Sequence, residues 1–170
     1  MTDPRYPLGR FDPADATPLP ALIDRIAALP GDLRRTVARL TMRQLETPYR
    51  EGGWTARQVV HHLADSHLNS YTRFRLALTE ERPTIKPYNE TLWADLPDAR
   101  SGPIDASILM LEGLHARWVA LMRSMTPEQF RRPFVHPERG EMTLEQTTRL
   151  YAWHCRHHLA HIEQAAALGA

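Results

Sequence analysis

From about residue 20 onward, apolar side chains return every three or four positions in four stretches, the rhythm of helices that each bury one face. The spacing predicts long helices over about 20–40, 55–80, 105–125 and 143–168. Helix starts carry one recurring signal, a threonine followed three residues later by a glutamine: Thr41 with Gln44, Thr55 with Gln58, Thr126 with Gln129 and Thr143 with Gln146. At this spacing each side chain satisfies a backbone N–H that the first helical turn leaves without a partner. Pro127 fits the first helical position after Thr126, whereas Pro30 falls inside the first helix and predicts a kink or a restart there.

The remaining segments read as connections. Pro4, Pro7, Pro13, Pro18 and Pro20 leave residues 1–20 short of backbone donors and predict an extended arm over the surface, of a kind that can also reach a second subunit. Pro83, Pro87, Pro97 and Pro103 predict a long irregular crossover between the second and third long helices. "RRPFVHPERGEM" reads as a loop with room for a short hairpin, and the paired glycines of "REGGW" permit a tight turn before Trp54. The expected fold is all-α, a four-helix bundle in one domain spanning 1–170.

Composition narrows the function classes. The 21 basic and 20 acidic side chains leave a formal charge of +1, which gives no electrostatic support for a nucleic-acid or anionic-membrane partner. No stretch of about 18 apolar residues occurs, and the N-terminus is charged where a secretory signal would be apolar, so the expected protein is soluble and cytoplasmic. Cys155 is the only cysteine, expected as a small buried side chain.

Candidate chemistry lies in nine histidines, four of them within "HCRHHLAH". Residues four apart on a helix stack one turn above another, so His154 with His158 and His157 with His161 are each spaced to share an ion. The apolar face of this helix is marked by Leu144, Tyr151, Cys155, Leu159 and Ile162, and the opposite face by Glu145, Arg149, Arg156 and Glu163. With Leu144 at zero, His154 and His158 fall at about 280° and 320°, and the other pair at about 220° and 260°, nearer the charged side. The inward pair is therefore His154 and His158, with His157 and His161 at a rim or in solvent. On the second helix, periodicity turns His67 inward, places His62 on the flank beside Ser66 and Asn69, and leaves His61 exposed with Asp65 on the polar side. His115 reads as a histidine of the core on the third helix or as a neighbour that supports metal ligands, and not as a ligand itself, while His136 lies in a loop.

The combination of "RYPLGRFD", "TPYREGGWTARQVVHHLADSHLNSYTRF" and "YAWHCRHHLAHI" resembles the YfiT-like group of the DinB superfamily along essentially the whole chain. The resemblance implies a four-helix bundle holding a metal ion on three histidines, which map to His62, His154 and His158. It also implies a zinc- or nickel-dependent hydrolase, homodimeric and cytoplasmic, acting on a small-molecule substrate. Related members transfer a low-molecular-weight thiol such as bacillithiol onto electrophiles. Periodicity favours His67 where the resemblance favours His62; following the resemblance leaves His67 as a neighbour of the ligands or a general base.

Three neutral imidazoles leave an ion doubly positive with an open position, the arrangement of catalytic zinc. Such an ion activates water for hydrolysis or a thiol for transfer. A third class is a noncatalytic protein that binds metal or a small ligand. Trp153 points away from the expected core face, which fits either a subunit contact or packing under a loop or arm.

Overall fold

A computed structural model describes residues 3–170. The elements run α1 (Leu19–Val37), α2 (Met42–Leu45), α3 (Ala56–Thr79), α4 (Glu90–Ala94), α5 (Pro97–Ser101), α6 (Ile104–Ser124), α7 (Pro127–Phe130), β1 (Pro133–His136), β2 (Gly140–Thr143) and α8 (Leu144–Leu168). The long helices α1, α3, α6 and α8 form the bundle: α1 packs on α8 and α6, and α3 packs on α6 and α8. Their inward faces interlock through Ile26, Leu29 and Leu33 of α1, Val59, Leu63 and Phe74 of α3, Leu111 and Trp118 of α6, and Leu144 and Ile162 of α8, all fully buried. Burying a side chain of this size contributes about 1.5–3 kcal/mol against leaving it in water.

All four threonine–glutamine boxes form. In each the glutamine N–H donates to the threonine hydroxyl, and the glutamine side-chain oxygen accepts from the threonine N–H. Two of them head only the single turns α2 and α7, because a box satisfies the first donors of a helix and says nothing about its length. Helix α1 continues through Pro30 without restarting, contrary to one of the two expectations. Pro30 is itself buried in the packed face, where contacts of Ile26, Leu29 and Leu33 hold the helix together across the missing backbone bond.

The expected crossover between α3 and α6 contains the single turns α4 and α5 and is pinned to the start of α3. Gln58 Nε2 donates to the Ala94 carbonyl at 2.8 Å, and Arg57 Nη1 donates to the Gly102 carbonyl at 2.7 Å while its Nε bonds Glu46 Oε1 at 2.9 Å. Farther back, Ile85 and Val135 bond the crossover to β1, whose antiparallel pairing with β2 closes the hairpin before α8. Gly140 opens β2 at φ 78° and Gly52 turns the chain ahead of Trp54 at φ 64°, a region that favours glycine.

The N-terminal residues lie along the chain's own α8. Arg149 Nη1 donates to the carbonyls of Asp15 and Thr17 at 2.6 and 2.9 Å, and Phe11 approaches Trp153 with ring centroids 6.0 Å apart. Trp153 is thus covered by the arm, the second of its two expected settings.

Candidate metal centre

Helices α3 and α8 lie side by side, and the helical repeat aligns His62 and Ser66 on one with Tyr151, His154 and His158 on the other. His62 Nε2 comes within 3.3 Å of His154 Nε2. The His158 ring centre lies 4.7 Å from that of His62 and 4.3 Å from that of His154. One nitrogen from each of the three lies within 4.8 Å of the others. Two imidazole nitrogens bound at about 2.0–2.1 Å to a tetrahedral ion sit about 3.3–3.4 Å apart, so this donor set fits such an ion.

His67 is brought to the same place from behind. Its Nε2 lies 3.2 Å from His154 Nδ1, the edge facing away from His62, and its Nδ1 lies 2.8 Å from His115 Nε2. His62 and His67 therefore both adjoin His154, on opposite edges of its ring. His115 occupies the expected core position, with Nδ1 2.8 Å from the Ile26 carbonyl.

Three expectations are corrected. His61 is buried instead of exposed, because the crossover covers it and supplies the Gly102 carbonyl, with Ser107 Oγ at 2.8 Å from Nδ1. His157 and His161 are buried instead of lying at a rim or in solvent. His161 stacks on Tyr49 at 4.0 Å with Nε2 3.2 Å from the Arg5 carbonyl, and His157 stacks on Trp153 at 4.2 Å. A helical wheel contains neither the arm nor the turn that covers them. With His158, these two histidines form a second cluster whose geometry also admits an ion. His136 sits in β1, at the edge of the cavity described below.

Burial holds every histidine below its ordinary value of 6.5. His62 falls to about 4, first through desolvation and then through His157 and His161. His154 and His158 fall well below 6.5 for the same leading reason. Neutral imidazoles keep the lone pairs that metal binding requires. The same shifts couple stability to pH. Between about 4 and 6.5 the unfolded chain binds protons that the folded chain refuses, so stability is full above 6.5 and falls as the solution is acidified through this range. Urea unfolding of the metal-free protein is expected to show a loss of about 2 kcal/mol or more between pH 7 and pH 5, the amount that a single histidine shifted this far contributes. An unfolding midpoint that stays level or rises on acidification would contradict the burial.

The three histidines open onto a cavity of about 430 Å³ between the bundle and its connections. Periodicity did not single out the polar atoms that surround them. Tyr151 Oη donates to the Ser66 carbonyl at 3.1 Å and meets Ser66 Oγ at 3.1 Å, placing that hydroxyl 3.5 Å from His154 Nε2. The available signal was spacing, since Ser66 follows His62 by four and Tyr151 precedes His154 by three. Trp54 packs on His62 with centroids 4.8 Å apart. Tyr88, from the crossover, lines the cavity with a buried hydroxyl that has no hydrogen-bond partner among the described residues. Burial raises its pKa, keeping it a proton-bearing donor.

The DinB superfamily profile matches residues 25–162. A Bacillus cereus protein provisionally named a metal-dependent hydrolase is 53% identical over 165 residues, covering 95% of both chains. A similarly named Bacillus anthracis protein is 52% identical over the same share. Among solved structures, YfiT from Bacillus subtilis, described as "a probable metal-dependent hydrolase with an unusual four-helix bundle topology", superposes with a TM-score of 0.93 at 44% identity over 98% of each chain. Matching bundle, matching sequence and a match to the profile across most of its length make this chain a member of the DinB superfamily.

Proposed function

We propose that the protein is a metal-dependent hydrolase of small molecules, holding one divalent ion, zinc before nickel, on His62, His154 and His158. The observation that carries this reading is the convergence of His62 Nε2 and His154 Nε2 to 3.3 Å beside His158, on the wall of a cavity. The ion, when bound, supplies Lewis acidity toward a nucleophile or an acyl oxygen. Imidazole donors suit both metals, and the nitrogen separation favours tetrahedral zinc.

The chain supplies binding, orientation and proton donors. Tyr88 Oη, a cavity-lining hydroxyl without a partner among the described residues, serves as a donor to a substrate oxygen, while the Ser66 hydroxyl proton goes to Tyr151 Oη. Arg5, Arg50, Arg73 and Arg139 line it against Glu90 and Glu138, a positive excess that favours substrates with anionic groups. No thiol of the chain takes part: Cys155 is buried away from the cavity, and burial raises its pKa.

Stripping the protein with a chelator and restoring zinc tests the reading against a panel of esters and amides. Hydrolysis that disappears and returns supports it. Adduct formation between bacillithiol and a chlorinated electrophile, with no hydrolysis, would replace it by thiol transfer. Metal binding with neither reaction would leave a noncatalytic binding protein.

A further inference from the structure

We infer that His67, His115 and His161 are positioning residues that fix the proton on each ligand histidine of α8 at Nδ1, leaving Nε2 free for the metal. The inference rests on the three-histidine reading above. It starts from two backbone carbonyls, which only accept hydrogen bonds. His115 Nδ1 lies 2.8 Å from the Ile26 carbonyl, so Nδ1 carries the proton and His115 Nε2 presents a lone pair. His67 Nδ1, 2.8 Å from that lone pair, must donate to it, which leaves His67 Nε2 as an acceptor. His154 Nδ1, 3.2 Å away, donates in turn. Its remaining nitrogen, Nε2, is the one that faces His62.

His158 is reached by a shorter path. His161 Nε2 lies 3.2 Å from the Arg5 carbonyl and donates to it, so His161 Nδ1 accepts. His158 Nδ1, at 3.3 Å, supplies the proton and turns Nε2 into the ligand nitrogen. Both paths hold neutral rings throughout, in keeping with their burial, and each buried N–H on them finds an acceptor. Reversing the longer path would set two lone pairs against each other at Ile26 and put a proton on His154 Nε2, where the ion must bind.

The sequence supplies the anchor. Proline has no N–H, so Pro30 cannot bond the carbonyl four residues back, which is that of Ile26. The residue that threatened α1 frees an acceptor in the bundle core for His115. The arm supplies the other anchor through Arg5, so residues before α1 act on the metal centre without touching the ion.

The test is long-range proton–nitrogen NMR of the zinc-loaded, full-length protein, with zinc affinity measured by chelator competition. The expected spectrum shows Nδ1–H on His154, His67, His115 and His158, and Nε2–H on His161. His67→Phe removes the acceptor for His154 and is expected to weaken zinc binding about 10–100-fold, while His67→Gln, which retains an acceptor, recovers part of the loss. Nε2–H on His154 or His67, or wild-type affinity in folded His67→Phe, would overturn the long path. Nε2–H on His158 or Nδ1–H on His161 would overturn the short one. The spectrum of the unaltered protein decides the assignment even where a variant fails to fold. Absence of zinc binding would refute the three-histidine site itself, a result distinct from zinc bound by the opposite tautomers.

Discussion

Replacing His154 with alanine is expected to remove stoichiometric zinc binding, with affinity falling more than about 100-fold, beyond the loss typical of a residue that only orients a ligand. His154 is the hinge of the site, since His62 approaches one edge of its ring and His67 the other. The helical signal in circular dichroism should persist, because α8 is held by its capping box and by Leu144, Ile162 and Ala165, none of which is disturbed. The informative control is His157→Ala, measured beside it by chelator competition. His157 belongs to the second cluster, with His158 and His161, and not to the first. Near-normal affinity in His157→Ala with lost affinity in His154→Ala assigns the ion to the first trio; the opposite pattern assigns it to the second.

The largest expected loss of stability follows Trp118→Ala. Trp118 is fully buried, and its ring meets Phe74 at 5.3 Å, Tyr151 at 5.5 Å, His67 at 5.8 Å and His115 at 5.9 Å, all at steep interplanar angles. Truncation would leave a cavity directly behind the imidazoles, which close packing of the four helices prevents from collapsing fully. The cost is about 3–5 kcal/mol, read as a shift in the urea midpoint at unchanged slope and as a fall of roughly 10 °C in Tm. A loss below about 1 kcal/mol would show that the wall behind His67 relaxes and that the packing there is less constrained than these contacts indicate.

Much of this site lies in local periodicity. His154 and His158 are inward because a helix repeats every 3.6 residues, and the apolar positions of α8 define which side is inward without reference to any other element. His67 and His115 follow from the same argument, and both are buried. His62 does not. It sits on the flank of the α3 stripe and becomes a neighbour of His154 because α8 crosses beside that flank. Its candidacy came from resemblance to a family, which carries tertiary information that one chain's periodicity lacks.

The failures share a cause. His61, His157 and His161 occupy polar sides of their helices, and each is covered by a segment distant in sequence: the crossover over His61, the arm and the Tyr49 turn over His161, and the arm through Tyr6 over His157, which also stacks on its helical neighbour Trp153. Tyr88 lies in an irregular stretch with no period from which to read its direction.

The amino-acid sequence alone determined the long helices, the capped starts of α3 and α8 and the inward pair on α8, because hydrogen bonding and amphipathic burial act over one to three turns. Only the tertiary structure decided which imidazole meets that pair, which carbonyls orient the rings and what closes the cavity. Those contacts join residues tens of positions apart, and their geometry exists only once the helices have packed.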